Sequence, residues 1–104
     1  MEPEIVLAHS FIDSFDQLSR QARKRTRKKL NKFAEEEKTN SFKLHKLKKA
    51  NCDQSFRSAR ISDDLRMILA QQGDKYLLLY VDRHDPAYSW ANNKYLDTTN
   101  LGGV

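Results

Sequence analysis

Ser55 to Trp90 reads SFRSARISDDLRMILAQQGDKYLLLYVDRHDPAYSW, and this stretch decides the fold. Ser55–Ile61 alternates loosely between apolar and polar residues, the pattern of a half-buried strand. Ser62-Asp63-Asp64 makes a turn, and Leu65–Gln71 returns as a second strand. Gln72-Gly73-Asp74 is the next turn, where Gly73 can take a positive φ without steric cost. Tyr76–Asp82 follows. Its run Leu77, Leu78, Leu79, Tyr80 and Val81 is apolar on both faces, which predicts the central strand of a sheet. Asp85-Pro86 then reads as a helix start, with Asp as the N-cap and Pro at the first helical position. Ala87, Tyr88, Trp90 and Ala91 give that helix an apolar side.

Working outward, Ile5 to Ala8 is a short apolar run with a β-branched pair, read as a strand buried on both faces. Ser10 can cap the next segment through its hydroxyl. Phe11, Ile12, Phe15 and Leu18 then recur at helical spacing. A weaker stripe of Ala22, Thr26, Leu30, Phe33 and Ala34 continues it. Helices over 10–19 and 21–38 are expected, with a bend near Ser19–Gln21. The other faces of the second helix carry Arg20, Arg23, Lys24, Arg25, Arg27, Lys28, Lys29 and Lys32, so 8 of the 19 cations fall within thirteen residues. The helix then turns acidic at Glu35, Glu36 and Glu37. That order opposes the helix dipole, so local helix stability does not explain it. It is either a solvated face or a surface for phosphates or an acidic protein. Lys38 to Gln54 reads as a polar connector, with turn formers Thr39, Asn40 and Ser41 near its start, pinned to the core by Leu44 and Leu47.

A chain of 104 residues suits one domain, 1–104, with room for one sheet covered by helices. The tail 97–104 is small and polar and is expected to fray. A net charge of +5 favours a polyanionic partner. Cys52 is the only cysteine, which excludes an intrachain disulfide and a cysteine-based zinc site. Glu2, Glu4, Asp13 and Asp16 break the pattern of a signal peptide, and no apolar run approaches a membrane span. A cytoplasmic protein without membrane contact is the default expectation.

Three glycines leave no P-loop and no GxGxxG, and His9, His45 and His84 show no metal-ligand spacing. No cofactor and no metal is implied. The remaining chemistry lies in Arg57, Arg60, Arg66, Arg83, His84, Asp85 and Tyr88. Arg66 stands at the start of an apolar strand. It is either paired with Asp82 or Asp85, or it clamps a phosphate with its fork. His84 is either a capping or core histidine or a general acid–base group. Tyr88 lies one helical turn on, for core packing beside Trp90, for base stacking or for proton donation.

Two segments, RSARISDDLRMIL at 57–69 and LLLYVDRHDPAYSWA at 77–91, resemble the RelE/ParE toxin superfamily. The second is similar to the HHDxAYxWA ending of one RelE-like branch, and the resemblance spans roughly residues 5–91. It implies an α+β fold: an N-terminal strand and helix pair on a mainly antiparallel twisted sheet, with a short C-terminal helix. It implies a toxin that cuts mRNA at the ribosome without a metal, the ribose 2′-OH attacking the adjacent phosphate. It also implies an acidic antitoxin encoded beside it. By the same resemblance Arg66, Arg60, His84 and Tyr88 are the catalytic candidates. Arg57, Arg83, Lys46, Lys48, Lys24, Arg27 and Lys28 are the candidates for gripping RNA phosphates. Ser58 stands where well-known RelE enzymes carry a lysine, and a helix follows the last strand directly. A ParE-like toxin acting on DNA gyrase and a non-toxic nucleic-acid-binding protein are the alternatives on the same fold.

Overall fold

The hairpin around Gly73 is the centre of the architecture. Gly73 takes φ +59°, the left-handed conformation its lack of a Cβ permits, and joins two long strands. In this computed structural model, which describes residues 4–35, 44–47 and 51–96, the elements are β1 (Glu4–Leu7), α1 (His9–Asp16), α2 (Arg20–Ala34), β2 (Leu44–Lys46), β3 (Phe56–Arg60), β4 (Leu65–Gln72), β5 (Lys75–Arg83) and α3 (His84–Ala91). The chain is α+β, as expected. The sheet order is β1-β5-β4-β3-β2, antiparallel except for the parallel β1–β5 pair. Residues 36–38, Thr39, Asn40, Ser41, Lys48 and the tail 97–104, all named above, lie outside the described residues.

Three strand expectations need correction. β4, not β5, is the middle strand. β5 is apolar on both faces because it is interior and helices cover it on both sides, which does not require the central place. β1 is an edge strand with Leu7 45% exposed, rather than a strand buried twice over. The third correction is β2, which lies in the stretch read as a connector. Its three residues pair with β3 through Leu44–Ala59, His45–Ser58 and Lys46–Arg57.

Both helix starts are also shifted. α1 begins at His9, and the hydroxyl of Ser10 caps nothing; it donates instead to the Leu79 carbonyl at 2.5 Å. β1 pairs with β5 only as far as Leu78. Beyond it, the Ala8 N–H donates to the Leu78 carbonyl, and the Val81 N–H donates to the Ser14 hydroxyl at 3.0 Å. Helix α1 thus takes over the hydrogen bonds of the β5 edge where β1 runs out, as buried backbone groups require. A register shift between Ile68 and Leu69 leaves Leu79 unpaired at the same place. The expected bend is real: α1 ends at Asp16, and Ser19 caps α2 by accepting from the Ala22 N–H.

Alternation divides the apolar residues between two cores. On one face Phe11 of α1 and Phe33 of α2 pack on Ala59, Ile61, Leu65, Met67, Leu69, Leu78 and Val81. On the other, Ala87 and Ala91 of α3 pack on Phe56, Ile68, Ala70 and Leu79. Leu44 joins the first core and Leu47 the second, which is how β2 is pinned. No helix among the described residues is long and apolar enough to cross a membrane.

Candidate active site

The α3 face of the sheet gathers the polar chemistry. β3 puts Ser58 and Arg60 on this face, β4 puts Arg66 there, and β5 puts Tyr80 and Asp82 there. The register sets Arg60 opposite Arg66, and Arg66 opposite Asp82. Adjacent strands lie about 4.8 Å apart, so the two guanidinium stems start as direct neighbours. Like charges facing each other across a ladder destabilise it. Each arginine is partly diverted: Arg60 forms an ion pair with Asp63, and Arg66 Nη1 donates to the carbonyls of Ser62, Asp63 and Leu65. Arg66 is therefore tied to the β3–β4 turn and forms no ion pair with Asp82 or Asp85 in this structure.

α3 starts at His84, with Arg83 as N-cap, so Asp85 lies inside the first turn and Pro86 at its third residue. The expected Asp85–Pro86 cap is overturned because a tertiary contact does that work. The His84 N–H donates to the Asp64 carbonyl at 3.1 Å, and no side-chain cap is present. This earlier start brings His84 and Tyr88 onto one helix face, where their rings stack with centroids 4.4 Å apart. The Tyr88 hydroxyl is 3.0 Å from the Ser58 hydroxyl. His84 Nδ1 lies 2.9 Å from a carboxylate oxygen of Asp85. A carboxylate accepts, so Nδ1 donates and Nε2 is the basic atom of the neutral ring. The His84 side chain is 51% exposed and open to a substrate.

Arg60, Arg66, His84 and Tyr88 thus converge at one end of one face. The other expected residues do not join them. Arg57 and Lys46 are register partners at the opposite end of β3, beside a groove of about 390 Å³ that also contains Cys52 and Asp53. Arg57 donates to the carbonyls of Gln54 and Phe56. Arg83 turns to the other face at the sheet end. Lys24, Arg27 and Lys28 lie on α2, which covers the opposite face of the sheet, and the Arg27 guanidinium sits over the Phe15 ring.

Two residues escaped the sequence reading. His45 is exposed on β2 directly opposite Ser58, on the same face as Tyr88. Only the register of a three-residue strand reveals it. Tyr80 stacks on Trp90 at 4.7 Å and sits 3.4 Å from Asp82. Burial first, and then the Asp82 charge, push its phenol up from the ordinary value. Among the described residues no group of three or more His, Cys, Asp or Glu could hold a metal.

No protein-family model matches the sequence, and none of the curated proteins does. Solved structures do match. The conserved hypothetical protein HP0894 of Helicobacter pylori aligns at 22% identity and TM-score 0.61, covering 79% of this chain and 94% of that one. A chain of the RelB–RelE antitoxin–toxin complex of Methanococcus jannaschii aligns at 15% identity and TM-score 0.59, covering 82% and 96%. One from the toxin–antitoxin complex RelBE2 of Mycobacterium tuberculosis aligns at 14% and 0.56, covering 81% and 93%. At these identities the likeness is one of fold, and the fold of this chain is the RelE-like toxin fold.

Proposed function

We propose, with the RelE-like fold as the premise, that this chain is the toxin of a toxin–antitoxin pair and cleaves mRNA on the ribosome as an endoribonuclease. The observation that carries the reading is the register pair Arg60–Arg66 beside the His84–Tyr88 stack. Two guanidiniums placed side by side repel each other until an anion sits between them. A phosphodiester supplies that anion. The imidazole next to it presents Nε2 as an acceptor, because Nδ1 is engaged with Asp85.

In this reading the ribose 2′-OH loses its proton to His84 Nε2 and attacks the adjacent phosphorus. The bond to the 5′ oxygen breaks, giving a 2′,3′-cyclic phosphate and a 5′-hydroxyl. Protonated His45 donates the proton that the leaving oxygen takes. Arg60 and Arg66 offset the negative charge that builds on the phosphoryl oxygens. Tyr88 holds the imidazole in plane by stacking, and Ser58 fixes Tyr88 through its hydroxyl. Every step uses side chains alone.

The cationic side of α2 is turned away from this site, so it serves a separate contact with folded ribosomal RNA. An acidic antitoxin is the partner expected to mask such a surface. The antitoxin–toxin complexes among the matching structures support that partner.

Primer extension on an mRNA under translation tests the reading. New stops within codons are expected with the protein and absent without it. Arg66→Ala should lower cleavage by about 10²–10³-fold, the usual loss for one charge-stabilising donor, while RNA binding falls less than about 10-fold. Arg66 also ties the β3–β4 turn, so its Tm is measured alongside and Arg66→Lys tests charge without the fork. An intact mRNA, or equal loss of cleavage and binding, sinks the proposal.

A further inference from the structure

The β3–β4 turn holds the two arginines of the site in different ways. Arg66 Nη1 donates to the carbonyls of Ser62, Asp63 and Leu65. Carbonyls carry no net charge, so they aim the guanidinium and leave its positive charge uncompensated. Arg60 is held instead by the Asp63 carboxylate, at i+3. That ion pair offsets the charge of Arg60 and engages one nitrogen of its fork, Nη2. A carboxylate and a phosphodiester each present two oxygens that share one negative charge. They therefore compete for the same fork.

The Arg60–Asp63 pair is open to exchange. Its side chains are 63% and 86% exposed, and an ion pair this open to water is weak. Its removal would leave Arg60 and Arg66 as register neighbours with both charges uncompensated. At rest Asp63 thus relieves the repulsion that a bound phosphate would relieve in the complex. Asp64 makes a natural comparison. It carries the same charge in the same turn and is exposed too, but its carbonyl accepts from the His84 N–H, and Arg60 pairs with Asp63.

We propose that Asp63 is an internal stand-in for the substrate phosphate. It holds Arg60 until a phosphodiester seated on Arg66 displaces it, and it takes Arg60 back when the product leaves. Arg66 is the standing half of the phosphate clamp and Arg60 the switched half. Asp63 meets no reacting atom in this scheme; it is a positioning residue that acts through Arg60. The proposal rests on the endoribonuclease reading for its place at the scissile bond.

The test is the binding of a 2′-O-methyl oligouridylate of about six residues, read by fluorescence anisotropy on the full chain at about 0.15 M salt. The methylated ribose cannot attack, so binding is read apart from cleavage. Asp63→Asn keeps a turn-forming residue and removes the carboxylate charge. It should bind about 2- to 5-fold tighter than wild type, the size that loss of one exposed competitor allows. Asp64→Asn should stay within about 1.5-fold of wild type, because salt screens a charge that does not contact the fork. In an Arg60→Ala background the gain from Asp63→Asn should vanish. Inorganic phosphate should raise the Tm of Asp63→Asn more than that of wild type, which carries its own anion at Arg60; a turn staple alone would give equal shifts. No gain in Asp63→Asn, an equal gain in Asp64→Asn, a gain that survives in Arg60→Ala, or equal Tm shifts would overturn the stand-in. A gain confined to Asp63→Asn without mRNA cleavage by wild type would instead overturn the endoribonuclease reading and leave the stand-in in place.

Discussion

The two faces of the sheet come from the same strands by simple alternation, yet they are built for different ends. The α1–α2 face is filled: Phe11 and Phe33 meet Ile61, Met67, Leu69 and Val81 in one continuous core. The α3 face is filled only halfway along. Phe56, Ile68, Ala70 and Leu79 lie under Ala87 and Ala91, and then the rows turn polar through Ser58, Arg60, Arg66 and Asp82. A second full-length helix there would bury those arginines at a cost of several kcal/mol each. A helix of eight residues with two alanines toward the sheet leaves them at the surface. One face carries the stability, and the other spends ladder positions on charge.

The largest expected effect tests that division. Phe33 is fully buried and meets Tyr76 edge to face at 4.7 Å. Phe33→Ala should lower unfolding free energy by about 3–5 kcal/mol, from the forfeited transfer free energy and the cavity left behind. Urea denaturation measures it. A loss under about 1 kcal/mol would mean that the helical face is not the main core.

Ser14 comes next. Its buried hydroxyl donates to the Phe11 carbonyl and accepts from the Val81 N–H. Ser14→Ala leaves that N–H without a partner and should cost about 1–3 kcal/mol. Ser14→Thr, which keeps the hydroxyl, should recover part of it. No difference between alanine and threonine would mean that α1 does not complete the β5 edge.

What the sequence could tell follows the same line between local and distant causes. β3, β4 and β5 were legible because alternation and the Gly73 turn act within a few residues. The convergence of Arg66, Arg60, His84 and Tyr88 was accessible through family resemblance, and the register explains it. What stayed hidden depends on distant partners. β2 is three residues long and exists because β3 offers an edge. Ser10 looked like a cap, but its best acceptor is Leu79, sixty-nine positions away. Asp85-Pro86 looked like a helix start, but the Asp64 carbonyl takes the His84 N–H and moves the start forward. His45 gained a place in the site by the same long-range route.

A smaller effect comes from the far end of α3. There Asp53 accepts from the Ser55 N–H, the Ser55 hydroxyl and the Leu96 N–H, and so ties the segment after α3 to the start of β3. Partial burial raises its pKa, but these hydrogen bonds outweigh it and hold the carboxyl below the usual range. A carboxyl depressed in the folded state stabilises fully above its unfolded pKa, near 3.9, and that contribution fades as pH falls through the folded value. Asp53→Asn should therefore cost about 1–2 kcal/mol at neutral pH. Its stability should also fall less steeply than wild type below about pH 4. Parallel acid limbs would show that the clasp does not depend on charge.

The smallest expected effect on stability decides what the cationic helix is for. Lys24, Arg27 and Lys28 are exposed, so replacing all three by glutamine should shift stability by no more than about 0.5 kcal/mol per site. The helix covers the face opposite the arginine pair. A short single strand held at Arg60 and Arg66 cannot also lie along it. The salt dependence of binding such an oligonucleotide should therefore be the same in the triple variant as in wild type. A large folded RNA can reach around the domain. For it, the slope of log K against log salt should become shallower by about 2–3, at roughly 0.7–0.9 for each phosphate the variant no longer neutralises. If the slope changes for the oligonucleotide too, the strand wraps the sheet end and both faces form one binding surface. If it changes for neither, α2 is a solvated face as far as RNA is concerned, and an acidic protein is left as the partner its charge fits.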